Sequence, residues 1–241
     1  IHVKVDTGMG RLGFTGDAAK EILEIANLKG INIEGVMSHF SDADLTEASF
    51  AKMQIDRFNS LKTELINNGL NIKFFHIANS AAIITLPESH FDAVRPGLML
   101  YGYCANSELI PAMTVKTRIL TIRRLPANTP ISYGRTFITK RDSLIGVMAV
   151  GYADGFSRRF SNNAEVLVRG RRVPVVGRVC MDLTMIDLTD MGDVEEGDEV
   201  VIIGRQGNEF ISADELAARA DTISYEILTS LGNISKRIYN T

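Results

Sequence analysis

The first hundred residues alternate between short apolar runs and longer segments in which apolar residues recur every three or four positions. Short apolar runs bounded by turn residues predict buried strands, and the longer periodicity predicts amphipathic helices. Asp17 stands where a helix N-cap is expected, and Gly30 and Gly69 stand where helices stop. The predicted strands occupy residues 1–6, 31–40, 72–80 and 91–97, and the predicted helices occupy residues 17–29, 46–68 and 80–86.

Strands that alternate with helices predict parallel βαβ units. Four such strands would form half of an eight-stranded (β/α)8 barrel. The competing interpretation is a small open α/β sheet, which needs covering helices on both faces. Only residues 17–29 and 46–68 offer substantial helices in this half. We therefore expect a partial TIM barrel over residues 1–110, with the first half of the barrel missing.

The pattern changes after about residue 110, where short strand signals follow one another closely and turn residues separate them. This spacing predicts a mostly antiparallel β domain over residues 111–241. The run Arg169–Arg172 lies between two apolar runs and predicts a hairpin turn rather than a binding patch. Ser212 and Glu215 have the spacing of a capping box. The strand signals lie at 113–125, 143–155, 164–179, 184–190 and 198–206, and the helix signals lie at 212–221 and 224–232.

Composition narrows the class of protein without changing this organisation. Of the 241 residues, 45% are hydrophobic and 23% are charged, as in a soluble globular protein. The formal net charge of −3 gives no electrostatic footprint for nucleic acid. There is no apolar run of about 18 residues and no signal-peptide pattern, so we expect a cytoplasmic protein that does not bind membranes. Cys104 and Cys180 lack metal-ligand spacing, and we expect neither a disulfide nor a metal.

Polar or glycine-rich clusters follow the predicted strands of the first half. The carboxyl ends of parallel strands share one edge, where ligands bind in such folds, so we expect these clusters to lie together. A lone histidine after a strand is more often structural than catalytic, but four clusters in register are difficult to assign to packing. The clusters are Asp6–Arg11, Ser38-His39, His76–Ser80 and Arg95–Leu98.

The chemistry of these clusters points to an anionic ligand. Asn79 and Ser80 open a helix, whose free N–H groups and dipole bind phosphate, and Gly97 allows close approach of the backbone. Arg95 is a permanent cation. Arg11, on a glycine-flanked loop, suits either a bidentate contact to a carboxylate or a surface ion pair.

The second half of the chain adds candidates beside glycines. Tyr133 precedes a glycine in "ISYGRTF", and Tyr152 and Asp154 stand between glycines in "GYADGFSRR". The stretch "GRVCMDLTMIDL" brings Cys180 and Met181 to a predicted strand. On spacing alone, core filling is the favoured interpretation for those two side chains.

Taken together, seven stretches resemble the alanine racemase family, whose members join a pyridoxal phosphate-binding barrel to a β domain. The matching stretches occur in the family's order and run from end to end of the chain. They are "HVKVDTGMGRLGF", "SHFSDAD", "HIANSAA", "VRPGLMLYG", "SYGRTF", "GYADGFSR" and "GRVCMDLTMIDL".

The resemblance implies a role for each matching residue. Tyr133 would be a catalytic base supplied across a dimer interface. Lys4 matches a lysine that is often carbamylated in the family and then holds Arg11, which would lie near the cofactor oxygen and the substrate carboxylate. Arg95 would face the pyridine nitrogen, supported by His39. The remaining implied roles are phosphate binding by Asn79, Ser80, Gly97 and Leu98, and lining or entry of the substrate pocket by Tyr152, Met181 and Asp182.

The implied activity is the interconversion of L- and D-alanine by a two-base mechanism in a homodimer with pyridoxal 5′-phosphate. The family's second base is the lysine that carries the cofactor, in a "KADAYGHG"-like motif that these 241 residues lack. By family architecture the chain would begin at barrel strand five, and alone it would be inactive. Asn233 stands where some family members have a phosphate-binding tyrosine.

Two other functions fit the same residues. One is a related racemase for serine or a broader set of amino acids, which pocket width around Tyr133, Tyr152 and Met181 would decide. The other, of a different class, is a non-catalytic half-barrel that serves as a binding or dimerisation module. Intact catalytic residues would have no reason to survive in such a module.

Overall fold

The computed structural model describes residues 1–44, 47–104, 108–234 and 236–239. The chain divides into two compact units, Ile1–Ile110 and Pro111–Thr241. We refer to them as the α/β unit and the β unit.

The α/β unit contains a parallel sheet of three strands in the order β1-β2-β3. They are β1 (His2–Lys4), β2 (Gly35–Met37) and β3 (Phe74–His76). The register places Val3 beside Val36 and Val36 beside Phe75. The parallel arrangement that the alternating pattern predicted is therefore confirmed. The strands are shorter than the apolar runs, because the residues that follow them turn away to form loops.

Helices cover one face of this sheet. They are α1 (Ala18–Ala26), α2 (Ser49–Asn67) and α3 (Ser80–Thr85). Asp17 is the N-cap of α1, as predicted, and its carboxylate accepts from Lys20 N at 3.2 Å. Val3, Val36 and Phe75 share a core with Ile22 of α1 and Phe58 of α2, and all five are nearly fully buried. The opposite face of the sheet carries the alternate residues of the three strands, since side chains alternate along a strand.

The predicted fourth strand at residues 91–97 is wrong, because this segment is irregular. It still runs beside β3: Asp92 N donates to the Phe75 carbonyl and Arg95 N donates to the Ala78 carbonyl, both at 3.0 Å. Phe91 has a left-handed φ of 45°, and a proline at position 96 has no N–H to donate. A regular ladder therefore does not form, and the described part of this unit holds three strands rather than four.

The β unit is built on a seven-stranded sheet in the order β10-β7-β4-β11-β8-β9, with β12 beside β11. All the pairs in this sheet are antiparallel, which confirms the predicted arrangement. A separate antiparallel pair joins β5 and β6. The strands are β4 (Val115–Leu125), β5 (Pro130–Ile131), β6 (Phe137–Ile138), β7 (Ser143–Met148), β8 (Glu165–Val168), β9 (Arg171–Pro174), β10 (Thr184–Asp187), β11 (Glu199–Gln206) and β12 (Glu209–Ile211).

Two local predictions in the β unit are confirmed. Arg169 and Gly170 form the two-residue turn between β8 and β9, with φ of 48° and 74°, as a tight hairpin turn of this type requires. Ser212 caps α4 (Ala213–Ala220), its hydroxyl accepting from Glu215 N at 3.0 Å. The last described helix is α5 (Ser224–Ile234). Among the described helices, none has both the length and the apolarity that a bilayer crossing requires.

Candidate active site

The loop after β1 is organised by one carboxylate and presents Arg11. Asp6 Oδ1 accepts from the backbone N–H groups of Gly8 and Met9 at 2.8 Å, and Oδ2 accepts from Arg11 N at 3.1 Å. Burial acts to raise the pKa of Asp6, but these N–H donors outweigh it and the pKa is lowered. Gly13 closes the loop against β1: a Cβ there would come within 2.7 Å of the Val5 carbonyl carbon. The Arg11 side chain is left exposed, and it forms no salt bridge within the described part of the chain.

A buried polar network fixes the ends of β1 and β2 against α2. Gln54, fully buried on α2, donates to Thr7 Oγ1 at 3.1 Å and to the His39 carbonyl at 3.0 Å. Its side-chain oxygen accepts from Ser41 N at 3.2 Å. Thr7 Oγ1 lies 2.8 Å from Ser38 Oγ, which donates to the Val5 carbonyl at 2.9 Å. Each buried polar group is thus paired, as burial demands, and the segment carrying His39 is held in place.

Arg95 lies at the carboxyl ends of β2 and β3 and is surrounded by neutral acceptors. Its Nη1 lies 2.6 Å from His76 Nδ1 and 3.1 Å from the His76 carbonyl oxygen. Its Nη2 lies 2.6 Å from the Ser38 carbonyl oxygen and 3.2 Å from both His39 Nδ1 and the Ile77 carbonyl oxygen. None of its hydrogen-bond partners in the described residues is a carboxylate. Burial lowers the pKa of Arg95, but a guanidinium stays charged under all ordinary conditions.

The two histidines beside Arg95 are held neutral. Burial, with Arg95 and His2 beside the ring, lowers the pKa of His76 to about 4. Burial also lowers the pKa of His39, helped by the positive charges of Arg95, Arg11 and Lys4. A neutral imidazole has one acceptor nitrogen, so both rings can accept from the guanidinium. Because the charges of Lys4 and Arg11 also lower the pKa of His39, both side chains lie near the part of the site that Arg95 occupies.

Ser80 collects backbone donors from the irregular segment. Its hydroxyl oxygen lies 2.9 Å from Gly97 N and 3.3 Å from Met99 N. Asn79 is the N-cap of α3, with its side chain accepting from Ala82 N at 3.0 Å. Leu98 lies between the two donors. The start of α3 and the Arg95 guanidinium both lie at the carboxyl edge of the sheet, which makes this edge suited to an anion.

In the β unit, Tyr133 stands on a turn with unusual backbone angles. Ser132, Gly134 and Arg135 have φ of 62°, 70° and 52°. Ser132 Oγ donates to the Arg178 carbonyl at 2.6 Å, and a Cβ on Gly177 would come within 2.7 Å of Ser132 Cβ. These close contacts hold the turn while the Tyr133 side chain is 70% exposed.

A second exposed tyrosine is tied to the segment before β10. Tyr152 N donates to the Cys180 carbonyl and Ala153 N donates to the Met181 carbonyl, both at 3.0 Å. Gly151 permits this contact, because a Cβ there would come within 2.1 Å of the Met181 carbonyl oxygen. Met181 is 55% exposed, so core filling is the wrong interpretation for it. Residues 181–183 precede the ladder that begins at Thr184, and Asp182 is exposed with Met181.

The structure therefore gathers the predicted residues within each unit. The α/β unit brings His39, Arg95, Ser80 and Gly97 together, and the β unit brings Tyr152 to Met181. The side chain of Asn233 lies outside the described part of the structure.

Two residues that hold the site together were not predicted as site residues. Gln54 stands within the apolar stripe of α2, and a polar residue at such a position is the signal that it is needed there. The sequence places His76 in a polar cluster but gives it no individual role. Its contact with Arg95 joins residues 19 positions apart in the chain and has no local signature.

A parallel α/β unit with a cationic edge, followed by an antiparallel β unit, is an arrangement in which small molecules bind at the carboxyl ends of the parallel strands. Residues 1–105 match the family model for the alanine racemase N-terminal domain, and residues 112–239 match that for the alanine racemase C-terminal domain. The chain belongs to the alanine racemase family.

Individual relatives agree with this assignment. The chain is 55% identical to alanine racemase from Thermodesulfovibrio yellowstonii over 99% of its own length and 64% of that protein. It is 45% identical to the enzyme from Carboxydothermus hydrogenoformans, covering 67% of it. The chain thus spans about two thirds of the length of these relatives.

Solved structures give the same fold. Alanine racemase from Streptomyces lavendulae matches with a TM-score of 0.92 at 35% identity, over 100% of this chain and 66% of that one. The Bacillus anthracis enzyme with bound L-Ala-P matches with a TM-score of 0.88 at 38% identity, over 95% of this chain and 61% of that one.

Proposed function

We propose that this protein interconverts L-alanine and D-alanine with pyridoxal 5′-phosphate, acting as a homodimer. Family membership supports the reaction, and one observation in the chain carries the assignment of the site. That observation is the Arg95 guanidinium, which is half-buried and surrounded by neutral acceptors at the carboxyl edge of the sheet. A cation without a carboxylate partner is costly to bury unless its charge serves a ligand.

The residues of the α/β unit fit the cofactor. Five contacts occupy Nη1 and Nη2 of Arg95, while its Nε–H makes no hydrogen bond to the described residues. That N–H can donate to a pyridine nitrogen, and a permanent cation there keeps the nitrogen unprotonated. The neutral ring of His39 supports the guanidinium. Ser80 and the backbone of Gly97 and Leu98 would hold the phosphate, with Asn79 fixing the start of α3.

The substrate end of the site is assigned to charged and exposed residues. Arg11 would bind the alanine carboxylate, with Lys4 supporting it. When bound, the cofactor withdraws electrons from the substrate and so makes its α-proton removable. Tyr133 would take or return that proton on one face of the substrate, which is general acid–base catalysis. The substrate pocket and its entrance would be lined by Tyr152, Met181 and Asp182. The exposure of Tyr133 suits a base presented to a partner subunit.

A second base is required on the other face of the substrate. In the family it is the lysine of a "KADAYGHG"-like motif, and these 241 residues contain no such motif. We therefore expect the 241 residues to racemise alanine only together with a segment that supplies this lysine.

The test is racemisation by the whole encoded protein and by the 241 residues alone. L-alanine and D-alanine are incubated separately with pyridoxal phosphate, and optical activity is followed by circular dichroism. Both solutions should decay to zero ellipticity with the whole protein, and neither should change with the 241 residues. Conversion of serine but not alanine would redirect the substrate assignment. No conversion of any amino acid by the whole protein would refute the proposal.

A further inference from the structure

One face of the parallel sheet contains a histidine that crosses the middle strand. In the ladder, His2 of β1 pairs with Gly35 of β2, and Gly35 pairs with Phe74 of β3. Directly paired residues point to the same face of a parallel sheet. The His2 ring reaches across β2 and stacks on Phe74, with ring centroids 6.1 Å apart and planes inclined by 20°.

Gly35 makes this crossing possible. A Cβ on Gly35 would come within 2.5 Å of His2 Nδ1 and 2.6 Å of His2 Cε1. Real Cβ atoms do not approach other atoms so closely, so any other residue would displace the ring. The middle strand therefore contains a gap of one side chain, and the His2 ring fills it.

The crossing ends in a hydrogen bond to the histidine that contacts Arg95. His2 Nδ1 lies 2.8 Å from His76 Nε2, and His76 Nδ1 lies 2.6 Å from Arg95 Nη1. A guanidinium can only donate, so His76 Nδ1 accepts and the His76 proton resides on Nε2. That N–H then donates to His2 Nδ1. Both bonds therefore run in one direction, with Arg95 as the donor at one end and His2 as the acceptor at the other.

A metal ion between the two histidines does not explain the contact. Each nitrogen bound to zinc lies about 2.0–2.1 Å from the metal, which separates two ligands of a tetrahedral site by more than 3 Å. The nitrogens are 2.8 Å apart, the distance of a hydrogen bond. Among the described residues there is also no group of three metal-ligating side chains.

We propose that His2 is a positioning residue for the site: through the gap at Gly35 it accepts the His76 proton and thereby fixes the His76 tautomer that orients Arg95. This inference deepens the proposed function, on which it rests for the role of Arg95. The three-residue chain would leave Arg95 one fixed orientation toward the ring nitrogen of the cofactor.

The first test needs no cofactor and observes the parent protein, with substitutions used only to assign signals. The whole encoded protein is labelled with ¹⁵N-histidine, and ring nitrogens are assigned by replacing single histidines. We expect His76 to carry its proton on Nε2 and to show a ¹⁵N–¹⁵N coupling through the hydrogen bond to His2 Nδ1. A His76 proton on Nδ1, or the absence of that coupling, would overturn the proposal.

The second test asks whether His2 acts on Arg95. His2→Leu removes the acceptor, and Gly35→Ala displaces the ring while keeping both histidines. In each variant we expect a mixture of His76 tautomers and exchange of the Arg95 guanidinium protons with solvent about two- to tenfold faster, the factor for one lost hydrogen bond. His90→Leu is the matched control, because the hydrogen bond of the His90 ring to a described residue goes to the Ile83 carbonyl and not to Arg95 or His76. Unchanged tautomer and exchange in a folded His2→Leu protein would contradict a positioning role.

The outcomes separate this inference from the proposed function. Racemisation without the coupling refutes the inference alone. The coupling without racemisation of alanine refutes the proposed function and leaves His2 as a structural partner of His76 and Arg95.

Discussion

The two units present their candidate residues in opposite ways. In the α/β unit, Arg95 is held by five contacts to buried backbone and histidine acceptors. In the β unit, Tyr133 is 70% exposed and Tyr152 is 44% exposed. Both tyrosines stand on short turns rather than within strands. The contacts of Arg95 come from its own unit, whereas the side chains of Tyr133 and Tyr152 are exposed on the surface of the chain.

This difference leads us to expect different effects from substitutions in the two units. A half-buried charge that its neighbours hold in place is preorganised, and little reorganises when a ligand arrives. An exposed tyrosine on a fixed turn acquires its environment only when another surface covers it. We therefore expect substitutions in the α/β unit to affect stability and cofactor binding together. Substitutions at the exposed tyrosines should affect turnover and leave stability nearly unchanged.

The largest expected effect is on turnover and comes from the β unit. Tyr133→Phe in the whole protein should lower kcat by about 10²–10⁴-fold, the usual cost of losing a general base. The free energy of unfolding should change by less than about 0.5 kcal/mol, since the side chain is exposed. Steady-state racemisation and urea unfolding measure the two quantities. Tyr239→Phe, at an exposed tyrosine with no assigned role in the site, is the matched control, and turnover within threefold of the parent in Tyr133→Phe would remove Tyr133 from its role.

The next largest effect is a dependence of the unfolding free energy on pH, caused by His76 in the α/β unit. The pKa of His76 is about 4 in the folded protein and 6.5 ordinarily, so the unfolded chain binds the extra proton between these values. Stability should therefore fall as the pH is lowered from 6.5 to about 4, by about 1–3 kcal/mol from this group. Urea unfolding across that range measures it. The fall should be smaller in His76→Asn and unchanged in His90→Asn, and an equal fall in all three proteins would contradict the buried arrangement.

A loss of stability of comparable size is expected at Gln54. Gln54→Leu leaves the His39 carbonyl and the Ser41 N–H without their side-chain partner, which costs about 1–3 kcal/mol. Asn59→Leu, at an exposed position of the same helix, should cost less than about 0.5 kcal/mol. Equal unfolding free energies for the two variants would show that the network does not stabilise the unit.

The smallest effect tests whether the Tyr133 turn is held by its neighbours. Ser132→Ala removes the hydrogen bond to the Arg178 carbonyl, a contact worth about 0.5–1.5 kcal/mol. Because left-handed φ values at non-glycine residues are unfavourable, we expect the turn to relax and kcat to fall several-fold with KM little changed. The same rate loss in Ser230→Ala, whose hydroxyl is remote in sequence from the turn, would point to a general effect on the β unit.

Local chemistry was predictable from the sequence. The Arg169–Gly170 turn, the Asp17 and Ser212 caps and the parallel arrangement of β1–β3 all follow from residues close together in the chain. The resemblance to the family carried the assignment of the site residues, since their types and spacing alone left each one ambiguous.

Features that depend on long-range packing were not predictable. The segment 91–97 has the composition of a strand. The left-handed φ of Phe91 and the missing N–H of Pro96 prevent it from forming a regular ladder with β3. Met181 has strand-like neighbours, and only the tertiary structure reveals that the ladder begins three residues later, at Thr184. The contact between His2 and His76 spans 74 residues and depends on Gly35 in the middle strand, β2.

The central claim is that Tyr133 is one of two bases acting on opposite faces of alanine. Its most direct test is deuterium exchange at the α-carbon in D₂O, catalysed by the whole protein with Tyr133→Phe. L-alanine and D-alanine are incubated separately, and deuterium content and configuration are read by mass spectrometry and chiral chromatography. We predict that one enantiomer still exchanges with retention of configuration, through the remaining base, while racemisation is lost. Exchange of both enantiomers at parental rates, or equal loss of exchange from both, would contradict the account.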